Sequence, residues 1–431
     1  MRKFRWILPV LLIAGILMVV LIQLRSAGGP DTGSSSEISG SPQEKVVLDY
    51  YFWDDEISYI RPVANAYTAF HRNVKINLHA LDSDYYIDVI KLLLDGDTKI
   101  DLVGVRGISL LVQMKEQLLN ITSDIINNQI DVTAYGNMYN NISIDGEYYG
   151  LPTRSTCWFL LYNRDLFDQA RVAYPGQMTW DEYRRLALTM THGTNKNKVY
   201  GGFWPPWLFN FGAIQRSSYL IDDDLTYTKQ SLEMLNNFYN VDKSHISYTQ
   251  IAITNDIIDY LSIFEENRIA MMPQGEWMIN MLIEYEKDHT DCVNWDIAPM
   301  PVFPGQDPGV TWGQYQFAGI AKDTRYPQEC FQFLQFLCGE EGARIYAENG
   351  IIHAYCDDEI KPIYLNAVGR ESASYFYEAK KVQEEVTAPY YQEIIVDFKP
   401  IAQDYLLGKI SLEQAMQQLE EARARIYGSQ P

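Results

Sequence analysis

The chain predicts an α/β fold. Three observations carry that expectation: apolar strand-like runs alternate with amphipathic stretches, Gly and Pro clusters punctuate them, and polar capping residues open several of the helical stretches. Val46–Trp53 (VVLDYYFW) opens the series as a strand. A helical pattern follows over Ile60–Phe70. Val74–Leu81 alternates as a strand, Tyr86–Leu94 is helical, Ile100–Val105 is strand and Leu110–Leu118 is helical again. This β-α-β-α-β order predicts a mainly parallel sheet flanked by helices.

The segment Asp145–Phe167 breaks the rhythm. Asp145-Gly146 is a tight-turn dipeptide, and Gly150 and Pro152 interrupt the backbone. Cys157–Tyr162 is then continuously apolar, as in a strand buried on both faces, and Asn163 is placed to cap a helix starting at Arg164. The polar triplet Thr153-Arg154-Ser155 sits at the bend. It combines binding chemistry with a hinge position.

Beyond it, Thr179-x-x-Glu182 forms a capping box for a helix over Trp180–Met190, and Ser411-x-x-Gln414 does the same for Leu412–Ile426. Ser231–Tyr239 and Thr254–Glu266 read as helices. Asn294–Ala298 and Phe317–Ala321 read as strands. Pro327–Asn349 is helical with a break near Gly339. No internal repeat is present.

Composition narrows the partners. At 431 residues with 47% apolar content, the chain is long enough for two or three domains with a sizeable core. A net charge of −21 argues against nucleic acid, which needs clustered Lys and Arg. The 31 Tyr and 9 Trp suit a site that needs flat apolar faces with polar edges.

Arg2, Lys3 and Arg5 precede an apolar run, Ile7–Ile22. As a helix, Ile7–Leu24 spans about 27 Å, close to a bilayer core. Residues 1–25 therefore read as a signal or anchor helix that leaves the rest outside the cytoplasm, either retained in the membrane or cut near Ser26-Ala27-Gly28. No Cys follows to carry a lipid. Residues 26–44, rich in Gly, Ser and Pro, read as a flexible tether. The five Cys show no CxxC pair or metal spacing and read as buried free thiols.

In order along the body, FWDDE, AFHRNVKINLHAL, KIDLVGV, DGEYYGLPTRSTCWFLLYNRDLFDQA, MTWDEYRRLA, FEENRIAMMPQGEW, WDIAPMPVFPG and FAGIAKDTRYPQECFQFLQFL resemble the extracellular solute-binding proteins of ABC importers, in the family that includes maltose-binding protein. The resemblance covers nearly the whole body. It implies a bilobed fold of the type II periplasmic-binding kind, with ligand between two α/β lobes. One lobe would hold 45–152 with 301–351, the other 153–300 with 352–431, with crossings near Pro152, Pro301 and Ile352. Lobe closure on a hinge would present the loaded form to a permease. Implied partners are a carbohydrate, permease subunits and the membrane, with the chain itself a monomer and no cofactor. Three departures stand out: there is no lipobox Cys, Asn267 stands in a turn where the family usually has Gly, and Thr156 stands where a maltose binder has Glu.

The candidate ligand contacts follow from sugar chemistry, in which aromatic faces stack on C–H patches while carboxylates, Arg and amides take hydroxyls. They are Trp53, Asp54, Glu56, Arg106, Arg154, Thr156, Trp204, Trp207, Glu276, Trp277, Trp312 and Gln314, with Asp82, Asp84 and Tyr85 as weaker candidates. Trp277 corresponds to the family's sugar-stacking Trp. Arg154 either touches ligand or locks the closed form through an ion pair. Asp222-Asp223-Asp224 lacks EF-hand spacing and reads as a solvated loop. No GxxxxGK[ST], HExxH or GxSxG motif is present, so the chain does not read as an enzyme. The alternatives to sugar capture for transport are a membrane-tethered sensor or interaction protein on the same fold, and a binder of a non-sugar solute.

Overall fold

The computed structural model describes residues 45–428 except 137, 139, 140, 254–258 and 389. The expected signal or anchor helix and the tether lie outside these residues. So does the start of the helix expected from Thr254.

The first sheet has the order β2 (Val74–Leu81), β1 (Val46–Trp53), β3 (Leu102–Val105), β10 (Tyr315–Ile320), β4 (Leu151–Ser155). β1 runs parallel to β2 in unbroken register from Val46↔Val74 to Trp53↔Leu81, and parallel to β3. β10 is antiparallel to both β3 and β4. The second sheet has the order β6 (Tyr200–Gly202), β7 (Ile269–Gly275), β5 (Trp158–Asn163), β8 (Trp295–Ala298), with β5 antiparallel to β7 and β8. A third, two-stranded sheet pairs β9 (Val310–Gly313) with β11 (Lys380–Gln383). The mainly parallel sheet expected from element order holds for the first three strands. The antiparallel pairs arise where strands return from distant sequence, which local order does not encode.

The local signals behave as their chemistry dictates. Both capping boxes form: Thr179 and Glu182 exchange hydrogen bonds reciprocally, as do Ser411 and Gln414. Asn163 Oδ1 accepts from Leu166 N at the head of the helix Arg164–Ala170. Every residue of β5 is buried. Asp222-Asp223-Asp224 lie in a loop, as expected, and Asp224 Oδ1 accepts from Thr226 N just ahead of the helix Thr226–Asn236. All five Cys are free. Cys157, Cys330 and Cys338 are buried, but Cys292 is partly open and Cys356 is exposed, because both sit in loops outside the sheets.

Two hydrophobic cores divide the chain. One gathers β1, β3, β10 and the helix Pro327–Cys338; the other gathers β5, β7, β8 and most of the sequence after Ile360. The chain passes between them at Ser155-Thr156-Cys157, at Gly313-Gln314-Tyr315 and around Ile352. The second passage falls later than the Pro301 position expected from sequence. The Pro/Gly loop after Met300 stays with the second core: Phe303 packs near Trp180 and Phe211, Val302 N donates to Met178 O, and Trp312 is fully buried there. The first two passages are tied together, since Thr156 N donates to Gln314 O at 2.8 Å and Gln314 N donates to Thr156 Oγ1 at 2.8 Å.

Candidate ligand-binding cleft

A cleft of about 1820 Å³ lies between the two cores. The ends of β1 and β3 supply Trp53, Asp55 and Arg106 to it. The passages supply Arg154, Thr156, Gln314 and Gln316. The second core supplies Trp158, Trp207, Tyr260, Trp277, Glu384 and Glu385.

Arg154 organises the floor. Its Nη1 donates to Glu56 Oε1 at 3.0 Å and to Tyr59 Oη at 2.8 Å, and its Nη2 to Glu276 Oε1 at 2.5 Å. Glu276 Oε2 accepts from Cys157 N at 3.0 Å. Burial opposes the Arg154 charge, but Tyr59, Glu276 and Glu56 hold its pKa well above the ordinary arginine value. Burial raises the Glu56 carboxyl, with Arg154 pulling the other way. Glu56 and Glu276 were expected to touch ligand. Both are buried as partners of Arg154 and do not line the cleft.

The acidic run after β1 divides its labour. Asp54 Oδ1 accepts from Ser83 N and holds a loop, Glu56 turns inward, and Asp55 lines the cleft. Burial, then the neighbouring Asp54 charge, raises the Asp55 carboxyl. Residue type fixed the acidity, but only the turn Asp54–Glu56 decides which carboxylate points where. Arg106 lies 4.6 Å over the Trp53 ring and donates to Ser83 O at 2.9 Å, so it covers Trp53 instead of leaving that indole as an open platform. Burial lowers the Arg106 pKa, while Glu56 and Asp55 oppose that. Asp84 and Tyr85 lie at the rim, whereas Asp82 does not line the cleft and accepts from Asp84 N in a turn.

The aromatic wall belongs to the second core. Trp277 opens the helix Trp277–Asp288 and is partly exposed. It stands edge-to-face on Trp158 at 5.3 Å, and Trp158 stacks on Trp312 at 5.4 Å. Gly275 permits this, because a Cβ there would fall 1.9 Å from the Trp277 ring. Trp207, 44% exposed, lies near Tyr260. Two expected contacts move into the core. Trp204 is fully buried against Phe211 and donates from Nε1 to Leu208 O, and Trp312 is the buried backing of Trp158. An FWPPW cluster gives no sign of which indole faces inward.

Of the twelve candidates, Trp53, Arg106, Arg154, Thr156, Trp207, Trp277 and Gln314 meet at the cleft. Sequence reasoning missed Asp55, Trp158, Tyr260, Gln316 and the pair Glu384-Glu385. The last two follow β11, whose pairing with β9 is long-range and leaves no periodic signal.

The family of bacterial extracellular solute-binding proteins has a model that matches residues 53–344, and the chain belongs to that family. Its function therefore lies outside the cytoplasm. The fold is the bilobed one of this class. It is similar to a sugar transporter of Rhizobium etli in an open conformation, at 26% identity and a TM-score of 0.74 over 88% of this chain and 99% of that one. It is also similar to an ABC substrate-binding protein of Listeria monocytogenes in complex with cycloalternan, at 21% identity and a TM-score of 0.76 over 90% of this chain and 100% of that one. An arabinooligosaccharide-binding protein of Halalkalibacterium halodurans is 26% identical over 156 residues, 35% of either chain. No helix among the described residues is long and apolar enough to cross a membrane.

Proposed function

We propose that the protein captures a carbohydrate, an oligosaccharide rather than a monosaccharide, between its lobes and delivers it to an ABC permease, held at the membrane by its N-terminal segment. One observation carries this reading: Trp277 and Trp207 present aromatic surface beside Asp55, Arg106 and Glu384 in one cleft. Flat apolar faces edged by hydrogen-bonding groups match a sugar ring, whose faces are C–H and whose rim is hydroxyl. The cleft, about 1820 Å³ with its open mouth and outer groove, has room for a ligand of several rings. The sugar-binding relatives are consistent with the same class.

The test is thermal melting against a panel of mono- and oligosaccharides. A ligand at 100 times its Kd adds about 2.7 kcal/mol of stability. Small-angle scattering of the loaded protein should show a smaller radius of gyration than the empty one. A panel with no shift removes the sugar reading, and an unchanged radius at saturation removes closure.

A further inference from the structure

The loop after β11 places two consecutive carboxylates, Glu384 and Glu385, on the cleft. Their hydrogen-bond donors are neutral. Glu384 Oε2 accepts from Trp158 Nε1 at 3.1 Å. Glu385 Oε2 accepts from Ser109 N at 3.3 Å and from Ser109 Oγ. Among the described residues neither carboxylate forms an ion pair. The two guanidiniums of the cleft are engaged elsewhere: Arg154 with Glu56 and Glu276, and Arg106 with Trp53 and the Ser83 carbonyl.

Two further acceptors in the same cleft have no partner among the described residues. Gln316 is 9% exposed and its Oε1 accepts nothing, although its neighbour in the β10–β4 pairing is Arg154. Gln314 Oε1 is buried and equally unpartnered. It lies beside Glu385: Gln314 Oε1 is 2.4 Å, and Glu385 Oε2 is 2.5 Å, from the point a Cβ on Gly107 would occupy. Acceptors are thus concentrated around Glu384, Glu385 and Gln314, while the ammonium groups of the cleft belong to Lys91, Lys115 and Lys399, with Lys91 Nζ donating to Gln113 Oε1 at 2.6 Å. Buried polar groups left unpaired cost free energy, so the complement must bring donors. Burial, with Glu385 adding to it at Glu384, pushes the Glu384 carboxyl up to about 8; burial pushes that of Glu385 up to about 7. Negative charge is disfavoured there until a cation arrives. The nearby Trp158–Trp277 pair adds aromatic surface, which attracts cations.

We propose that the cleft selects a cationic sugar, an amino sugar whose ammonium is held at the Glu384–Glu385 pair. This rests on the carbohydrate reading and narrows its substrate class. An ammonium supplies three donors and a counter-charge where the cleft offers acceptors and unpaired carboxylates.

The experiment is calorimetric titration of the full chain in mild detergent at pH 7 with matched pairs: glucosamine and glucose, galactosamine and galactose, a chitosan trimer and cellotriose. The amino member of at least one pair should bind at least tenfold more tightly than its neutral partner, and Glu384→Gln should narrow that preference to within about twofold. Neutral members binding as tightly as amino members overturn the proposal and leave sugar capture standing. No binding by any member overturns both. If Glu384→Gln does not fold, Glu385→Gln replaces it, and the wild-type comparison alone still decides the preference.

Discussion

Arg154 and Glu276 join the two lobes through a contact of 2.5 Å between side chains that are each at most 3% exposed. Arg154 belongs to β4 of the first sheet, and Glu276 stands between β7 of the second sheet and the helix that carries Trp277. The same guanidinium holds Glu56 of the first lobe. Beneath the cleft lies a three-residue charge network that spans the boundary, and of the three only Arg154 lines the cleft. Of the two roles considered for Arg154 in the sequence, ligand contact and a lock on the closed form, the geometry singles out neither: the guanidinium forms ion pairs and also lines the cleft.

Removing one partner strands charge in a dry site. Glu276→Ala should lower unfolding stability by about 3–5 kcal/mol, the usual cost of breaking a buried pair from one side. Urea denaturation of the empty protein measures it. A loss below about 1 kcal/mol would mean that the network contributes little to joining the lobes.

Trp277 and Trp204 should respond oppositely. Trp277→Ala should weaken ligand binding about tenfold or more, roughly 1.4 kcal/mol, while the empty protein loses the edge-to-face contact with Trp158, about 0.5–1.5 kcal/mol, together with the packing of the ring over Gly275 and against the second core. Titration calorimetry and melting of the same sample separate the two effects.

Trp204→Ala should instead cost about 3–5 kcal/mol of stability, because a fully buried indole leaves a cavity and Leu208 O loses its donor. Ligand affinity of the folded fraction should stay near wild type. A strong loss of affinity with an intact melting point would place Trp204 at the ligand.

Above about pH 6.5 the Glu384–Glu385 pair should make the empty protein less stable as pH rises; below it, His245 and His353, whose pKa burial lowers from 6.5 to about 3, act in the opposite direction. The Glu384 and Glu385 carboxyls titrate at about 8 and about 7 when folded, against an ordinary value of 4.5. Groups raised on folding add stability that is fully present below about 4.5 and is lost as pH climbs through the folded values. Melting temperatures between about pH 6.5 and pH 8 should fall less steeply in Glu384→Gln than in wild type. Parallel slopes would contradict this.

Much of the fold was legible locally. β1, β2 and the helices Tyr86–Leu94 and Trp180–Met190 fall where the sequence placed them, because alternation, helical periodicity and capping chemistry act over a few residues. The antiparallel returns of β10 and β4 and the late second passage were not legible, since strand partners are chosen by long-range packing. In the site, the sequence marked residue types well and orientations poorly. Asp54, Asp55 and Glu56 are three consecutive acids with three different fates.

The sequence by itself determined the α/β elements, their caps, the acidity of the chain and, through an ordered set of motifs, the class of protein. Those properties reside in local chemistry and pattern. The tertiary structure alone decided that Arg154 is a lobe-spanning ion-pair centre, that Trp204 turns into the core, and that Glu384 and Glu385 arrive beside Ser109 and Trp158. Each of these depends on two segments far apart in the chain meeting at one point, and burial, not residue type, fixes what such a meeting does.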